Sequence, residues 1–395
     1  MNSDNVAILG TAMTDMGRRD LTPAQMVGQV VEEVLADSGV HPDDLVLVVA
    51  GNAGGGRLND QGSIRGQAWL RKAALGDVPI VNVENSCACG SSALHMGTLA
   101  ARAEDGPVLV LGVEKMWTGD RAATLEAIEA GLTADFRADV HARALENGNP
   151  AGSVLMGLNA DWADQLMRER GATVEQIAAV AVKARRNGSL NPLAQCQQAV
   201  TMDEVLESPQ VAGVLTRLMC SSFTDGAAAM ILAAEPSRST PAVARVVGSM
   251  GRSGSGNLDY HDRLTETSHA AYAAFGLGPG DFDIVELHDA TSAEELFALE
   301  SLGLFGTGEA GPATLAGATA IGGSAITVNP SGGLVARGHP LGATGIAQVC
   351  EIVAHLQRRA GARQVDGARL GLAVNTGGIV DGDAGYVGMT AIAGP

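Results

Sequence analysis

VNVENSCACGSSAL, Val81 to Leu94, is the stretch on which the reading of this chain turns. An apolar β-pattern runs directly into Asn85, Ser86 and Cys87. A helix of small residues opens behind them, with Ala93, Met96, Ala100 and Ala103 at helical spacing. A thiol so placed lies near the first turn of a helix, where unpaired backbone N–H groups and the positive dipole end favour the thiolate. The thiolate is the nucleophilic form, so the strand–turn–helix context points to covalent chemistry. Cysteine is also often buried as a small hydrophobe. The flanking elements weigh against that reading here.

Working outward, strand and helix patterns alternate. Val6–Ala12 reads as a strand, and Thr22, Pro23 and Gln25 form a capping box that opens a helix stopped at Gly39. Leu45–Ala50 and Val108–Val113 are apolar throughout, as strands covered on both faces are. This βαβ rhythm predicts an α/β layered fold. Between about Thr118 and Arg217 the rhythm breaks into a more charged segment with helical patches at Ala160–Arg170 and Val174–Arg186 and a loop at Asn187–Gln195. This reads as a loop domain inserted in the first half. Strands resume at Ala227–Ala233, Ala242–Val247 and Phe282–His288, and Ser292 with Glu295 is expected to cap the next helix. Ala325–Asn329 leads to a glycine-rich turn and a helix over Thr344–Arg358. Strands at Leu370–Val374 and Tyr386–Ile392 follow. The halves repeat a similar order of elements, and the boundary is placed between 238 and 239.

The chain has 395 residues, of which 46% are apolar but only 3% aromatic, with 52 glycines. Its core must therefore be built from small aliphatic side chains. A net charge of -18 excludes a nucleic-acid footprint, so any anionic ligand requires a local basic cluster. Five irregularly spaced cysteines make no disulfide framework, which predicts reduced thiols and a cytoplasmic protein. MNSDNVAILG reads as no signal peptide, and no apolar run has the length of a membrane span.

Three turns at strand ends carry reactive side chains. They are Asn85–Gly90, then ELHDATSAEEL with His288 and Asp289, then NPSGGLVARGHPLGATG with His339. Either histidine alone could be structural. Two histidines in corresponding turns with a helix-start thiol make a nucleophile-and-base set. GHPLGATG at Gly338–Gly345, GVEKM at Gly112–Met116 and Thr201–Leu232 resemble the thiolase superfamily, specifically thiolases of the sterol-carrier-protein-x type. The resemblance runs from the first strand to the last. It implies two similar βαβαβαββ halves in a five-layered αβαβα core with an inserted loop domain, assembled as a homodimer or dimer of dimers. It implies an acyltransferase in which Cys87 accepts the acyl group and His339 activates it. His288 would polarise the thioester oxygen of the second substrate, and the backbone N–H groups of Cys87 and Gly377 would form the other oxyanion hole. A coenzyme A thioester would be the substrate, with no tightly bound cofactor and no metal. Lys183, Arg185 and Arg186 are the basic cluster expected to meet it, and Ser253, in SMGRSGSG, is expected near its pantetheine arm.

The chain departs from the family pattern where a second catalytic cysteine is expected, with Ala290 at one of its two places and Asn375 at the other. Cys89, at i+2 from the nucleophile, should point away from it. Asp289 reads as a turn residue, Cys220 as structural and Cys350 as core; Cys196 has no role assigned. Three alternatives to ordinary thiolysis stay open. One is condensation driven by decarboxylation, which needs no second thiol. Another is retro-aldol cleavage of a β-hydroxyacyl-CoA. The last is a subunit that works only with a small zinc-ribbon and OB-fold partner.

Overall fold

The computed structural model describes residues 5–146, 153–234 and 241–395, with backbone alone for 144–146. The boundary expected at 238/239 therefore lies outside the described residues. Twelve strands occur among them: β1 (Val6–Met13), β2 (Leu47–Gly51), β3 (Ile80–Val83), β4 (Val108–Glu114), β5 (Gln210–Ala212), β6 (Leu215–Thr216), β7 (Gly226–Ala233), β8 (Ala244–Ser253), β9 (Ile284–Glu286), β10 (Thr327–Val328), β11 (Leu370–Val380) and β12 (Asp383–Ala393). Ten of them form one sheet in the order β10-β9-β11-β12-β8-β1-β7-β4-β2-β3, and β5 and β6 form a separate hairpin.

The duplication suspected from the sequence is explicit in that order. Leaving out the hairpin, each half runs third, second, fourth, fifth, first. In each, the first three of these pair in parallel and the others antiparallel. The halves meet where β1 pairs antiparallel with β8, Val6 opposite Val246. The Cys89–Ala103 and Thr344–Leu356 helices pack on each other and on strands of both halves, forming a central layer. The Pro23–Ser38 helix covers β1 and β7, and the Tyr260–Phe275 helix covers β8 and β12. The expected capping box of Thr22 and Gln25 is present, and Gly39 ends that helix at φ 68°.

The corrections are local. The helix over Ser292–Ser301 starts at Thr291 without a side-chain cap, because Glu295 turns inward to Lys183 and Asn329. The Cys89–Ala103 helix does not bury the expected Ala93, Met96, Ala100, Ala103 stripe. Ala93, Leu94, Gly97, Thr98 and Ala101 are inside, and Met96 is 47% exposed. Small size rather than apolarity marks its packed face, since a Cβ on Gly97 would lie 2.2 Å from Val110. The inserted segment, carried between β4 and β7, packs largely against the second half, with Leu158, Leu166 and Ile177 in one cluster with Leu296 and Phe297. No helix among the described residues is long and apolar enough to cross a membrane.

The two central helices touch through glycine. A Cβ on Gly90 would lie 2.9 Å from the Gly342 carbonyl oxygen, and one on Gly345 would lie 2.4 Å from the Ser91 nitrogen. Gly90→Ala should therefore cost about 1–3 kcal/mol through overpacking. Gly28→Ala, at a helical site with nothing within 4 Å, should stabilise by about 0.5–1 kcal/mol. Urea unfolding midpoints measure both, and equal shifts would contradict this view of the seam.

Candidate active site

β3 ends at Val83, and the chain makes a tight turn over Ser86–Ala88 before the central helix begins at Cys89. Cys87 sits in that turn, half-buried, on the wall of a cavity of about 930 Å³. Cys89 is buried away from it. Its sulfur accepts from the Asn85 N–H at 3.2 Å and donates to the Ser86 carbonyl at 2.8 Å. Burial pushes the Cys89 thiol well above its ordinary value, so it staples the turn and is no nucleophile.

His339 occupies the matching place in the second half, between β10 and the Thr344–Leu356 helix. The equivalence therefore joins Cys87 to His339. His288 follows β9 and so corresponds to the turn after β2, which corrects the expectation that the two histidines occupy equivalent turns. The Thr344 hydroxyl donates to the Pro340 carbonyl at 3.0 Å, which leaves its oxygen to accept from His339 Nδ1 at 2.8 Å. That places the proton on Nδ1 and a lone pair on Nε2. Burial, then His288 and Arg337, hold His339 well below its ordinary value, so it is a neutral base. Glu114 of the GVEKM motif ties this turn to the first half, accepting from the N–H groups of Gly342, Ala53 and Gly54. Burial raises Glu114 to about 7 against the pull of those donors.

His288 is in the opposite state. Its Nδ1 lies 3.0 Å from Glu294 Oε1 and 2.9 Å from Thr376 Oγ1. Burial would strip the ring of its proton, but the charges of Glu294 and Cys87 outweigh that and raise it to about 10. The rings of His288 and His339 are 5.0 Å apart and nearly perpendicular. Reactive atoms of Cys87, His288 and His339 lie within 4.8 Å of one another. A ring held as a cation is a poor metal ligand, so the trio suits a nucleophile, a neutral base and a charged donor better than a metal ion.

The remaining expected residues separate clearly. Gly377 lies against the thiol turn, where a Cβ would come 2.3 Å from Ala88 N, while Gly378 forms the cavity wall. Lys183 is not a ligand site: it is 6% exposed and paired with Glu295, because it falls on the inward face with Val180, Ala184 and Asn187. Arg185 is half-buried and Arg186 exposed, and neither lines the cavity. Ser253, exposed at the end of β8 opposite Tyr386, does not line it either. The arginines that do are Arg121 and Arg217, both exposed.

Ala290 is on the wall, whereas Asn375 is buried and accepts from Ser91 Oγ, so neither place offers a titrating group. Asp289 is fully buried and accepts from the Leu334 N–H, and burial and Glu295 raise it well above its ordinary value. Cys220 does reach the wall, but its thiol faces the Thr216 carbonyl and burial pushes it up to about 12. Cys350 is core as expected, and Cys196 is half-buried against the large core cluster. Glu294 was missed. Two adjacent glutamates follow His288, and sequence alone does not say which one turns toward it.

Comparison with known proteins places this geometry. Residues 6–236 match the family model described as thiolase, N-terminal domain, and residues 255–387 match thiolase C-terminal domain-like. The chain is 37% identical over 388 residues to an acetyl-CoA acetyltransferase of Methanothermobacter thermautotrophicus, covering 95% of this chain and 96% of that one. It is 32% identical over 391 residues to sterol carrier protein 2 of Bos taurus, covering 95% and 70%. Among solved structures, the Ltp2-ChsH2(DUF35) aldolase superposes with a TM-score of 0.79 at 20% identity, covering 99% of this chain and 98% of that one.

The arrangement predicts that limiting iodoacetamide labels Cys87 before the other four cysteines, read by peptide mass. His339→Gln should slow that labelling about 100-fold. Equal labelling of Cys87 and Cys89, or no effect of the substitution, would show that the base does not act on this thiol.

Proposed function

The chain belongs to the thiolase family, and from that premise we propose that it makes or breaks a carbon–carbon bond beside an acyl-CoA thioester through a Cys87 acyl-enzyme. The observation that carries this is the unprotonated Nε2 of His339 beside the Cys87 thiol. The thiol gives its proton to His339, the thiolate adds to the substrate carbonyl, and His339 returns the proton to the Cys87 sulfur when the acyl group is lifted from it. The backbone N–H groups of Cys87 and Gly377 are assigned to the acyl oxygen, on the strength of Gly377 lying against the thiol turn. The charged Nε2–H of His288 is assigned to the thioester oxygen of the second substrate, where enolate charge develops.

For the coenzyme, Arg121 and Arg217 replace the cluster at Lys183. They are exposed on the cavity wall, and neither forms an ion pair among the described residues. They are assigned to the phosphates, the strongest anion of the substrate. The assembly we infer is a homodimer joined at β3. That strand is a sheet edge, and Val81 on it is exposed, as are Met96 and Leu99 on the adjoining helix.

Ala290 favours a second reading, because no thiol stands where the α-proton is usually handled. Decarboxylation or retro-aldol cleavage, alone or with a small zinc-ribbon and OB-fold partner, would need none there. The Ltp2-ChsH2(DUF35) likeness supports that reading at the level of fold.

Parallel assays separate these readings. A 3-ketoacyl-CoA with free CoA should be cleaved, and Arg121→Ala with Arg217→Ala should raise KM at least tenfold, the loss of one or more charged hydrogen bonds. Turnover of malonyl-CoA or of a β-hydroxyacyl-CoA alone would hand the function to the second reading. Light scattering should give the mass of two chains; a monomer would remove the β3 interface.

A further inference from the structure

No second thiol stands at either expected place, but a carboxylate is built into the site. Glu294 lies in the first turn of the Ser292–Ser301 helix, 4% exposed and on the cavity wall. Both of its oxygens are committed. Oε1 accepts from the Tyr260 hydroxyl at 2.9 Å and lies 3.0 Å from His288 Nδ1, while Oε2 accepts from the Ala290 N–H at 3.1 Å. Thr376 completes the ring of contacts, bonded to the Tyr260 hydroxyl and 2.9 Å from the same Nδ1. The backbone at Ala290, where a second cysteine is expected, thus serves as a clamp for Glu294. Among the described residues His288 Nε2 has no oxygen or nitrogen partner and faces only the Cys87 sulfur, so it is the open position of a ring held at Nδ1.

We propose that His288, charged and oriented by Glu294, is the carbon acid and base of this site and takes over the work of the absent cysteine. This rests on the acyl-enzyme reading above. In the cleavage direction the Cys87 thiolate adds to C3 of a 3-ketoacyl-CoA. The C2–C3 bond then breaks, leaving its electron pair on C2 as an enolate. His288 Nε2–H, bonded to the thioester oxygen while the enolate forms, then gives its proton to C2, so acetyl-CoA departs and the acyl group stays on Cys87. An incoming CoA thiol gives its proton to the now neutral His288, and the resulting thiolate lifts the acyl group from Cys87. One proton leaves the ring and one returns. Condensation is the reverse.

The electrostatics fit this cycle. The groups facing His288 are Cys87 from the thiol turn, His339 from the opposite turn, Glu294 from its own helix and Tyr260 from the Tyr260–Phe275 helix. His339 is neutral, and burial with Glu294 keeps the Tyr260 phenol protonated. Glu294 is therefore the main charge that holds the His288 proton against burial, and Cys87 adds to it once its sulfur is a thiolate. Acylation of Cys87 removes that addition and makes the proton easier to give at the step that requires it. Glu294 acts through the ring and is a positioning residue.

The test separates the proton step from acyl transfer. Acetyl-CoA is incubated with the enzyme in D₂O; methyl deuteration of acetyl-CoA reports the carbon acid and intact mass reports Cys87 acylation. Wild type should do both. Glu294→Gln should still take up the acyl group but exchange deuterium about 100-fold more slowly. Because exchange begins with the neutral ring taking a methyl proton, the rising limb of its pH profile should move down by roughly one pH unit or more, and the loss of about 100-fold is read on the plateau above it. Glu294→Asp should recover part of the loss. Exchange at the wild-type rate and pH profile in Glu294→Gln would overturn the proposal, as would a wild type that acylates but exchanges nothing. If the variant does not fold, or if wild type takes no acyl group and the acyl-enzyme reading falls, ¹⁵N NMR of the wild type still reads His288. A neutral ring at pH 8 would overturn the proposal, and a charged one would support it.

Discussion

The chemistry of this protein depends on a close approach made without side chains. Two central helices, one from each half, start at the turns carrying Cys87 and His339, and they can pass in contact only because glycine stands at the crossing. Gly90 meets the Gly342 carbonyl and Gly345 meets Ser91. β4 joins the same seam, where a Cβ on Gly112 would lie 2.1 Å from the Gly342 oxygen. A methyl group at any of these points would push the second-half turn away from the first, and with it His339 from Cys87. The 46% apolar, aromatic-poor composition has the same origin, since layers this close exclude large rings.

Onto that frame the sequence adds unequal electrostatics. Two histidines 5.0 Å apart are driven in opposite directions, one by burial without a counter-charge and the other by Glu294. Their hydrogen-bond partners make the difference. The hydroxyl of Thr344 fixes a tautomer and leaves His339 a lone pair, whereas a carboxylate fixes a charge and leaves His288 a proton. A base and an acid are thereby held on either side of one thiol, which is the pairing acyl transfer beside an enolate requires.

Much of this was legible in the sequence because it is written in local pattern. Cys87, His288 and His339 all stand in turns between a strand and a helix, and the period-2 to period-3.6 switch marks such turns directly. Charge was the poorer guide. Lys183 looked like part of an exposed basic cluster, yet helical periodicity sets it inward, where Glu295 neutralises it. The arginines on the cavity wall, Arg121 and Arg217, are 96 residues apart in number and come to one cavity only through the folded insertion. Glu294 and Glu295 show the finest limit. Adjacent residues on a helix point about 100° apart, so one reaches His288 and the other Lys183. Tertiary packing alone selects which.

Passage of acyl groups through Cys87 leaves a covalent adduct that rapid-quench intact mass spectrometry reads. Mixed with an acyl-CoA and quenched in acid, the wild-type chain should gain one acyl group, mapped by peptide analysis to Cys87 and absent in Cys87→Ala. An enzyme that turns over acyl-CoA with Cys87 unmodified at every time point, or that turns over equally well as Cys87→Ala, would contradict the account.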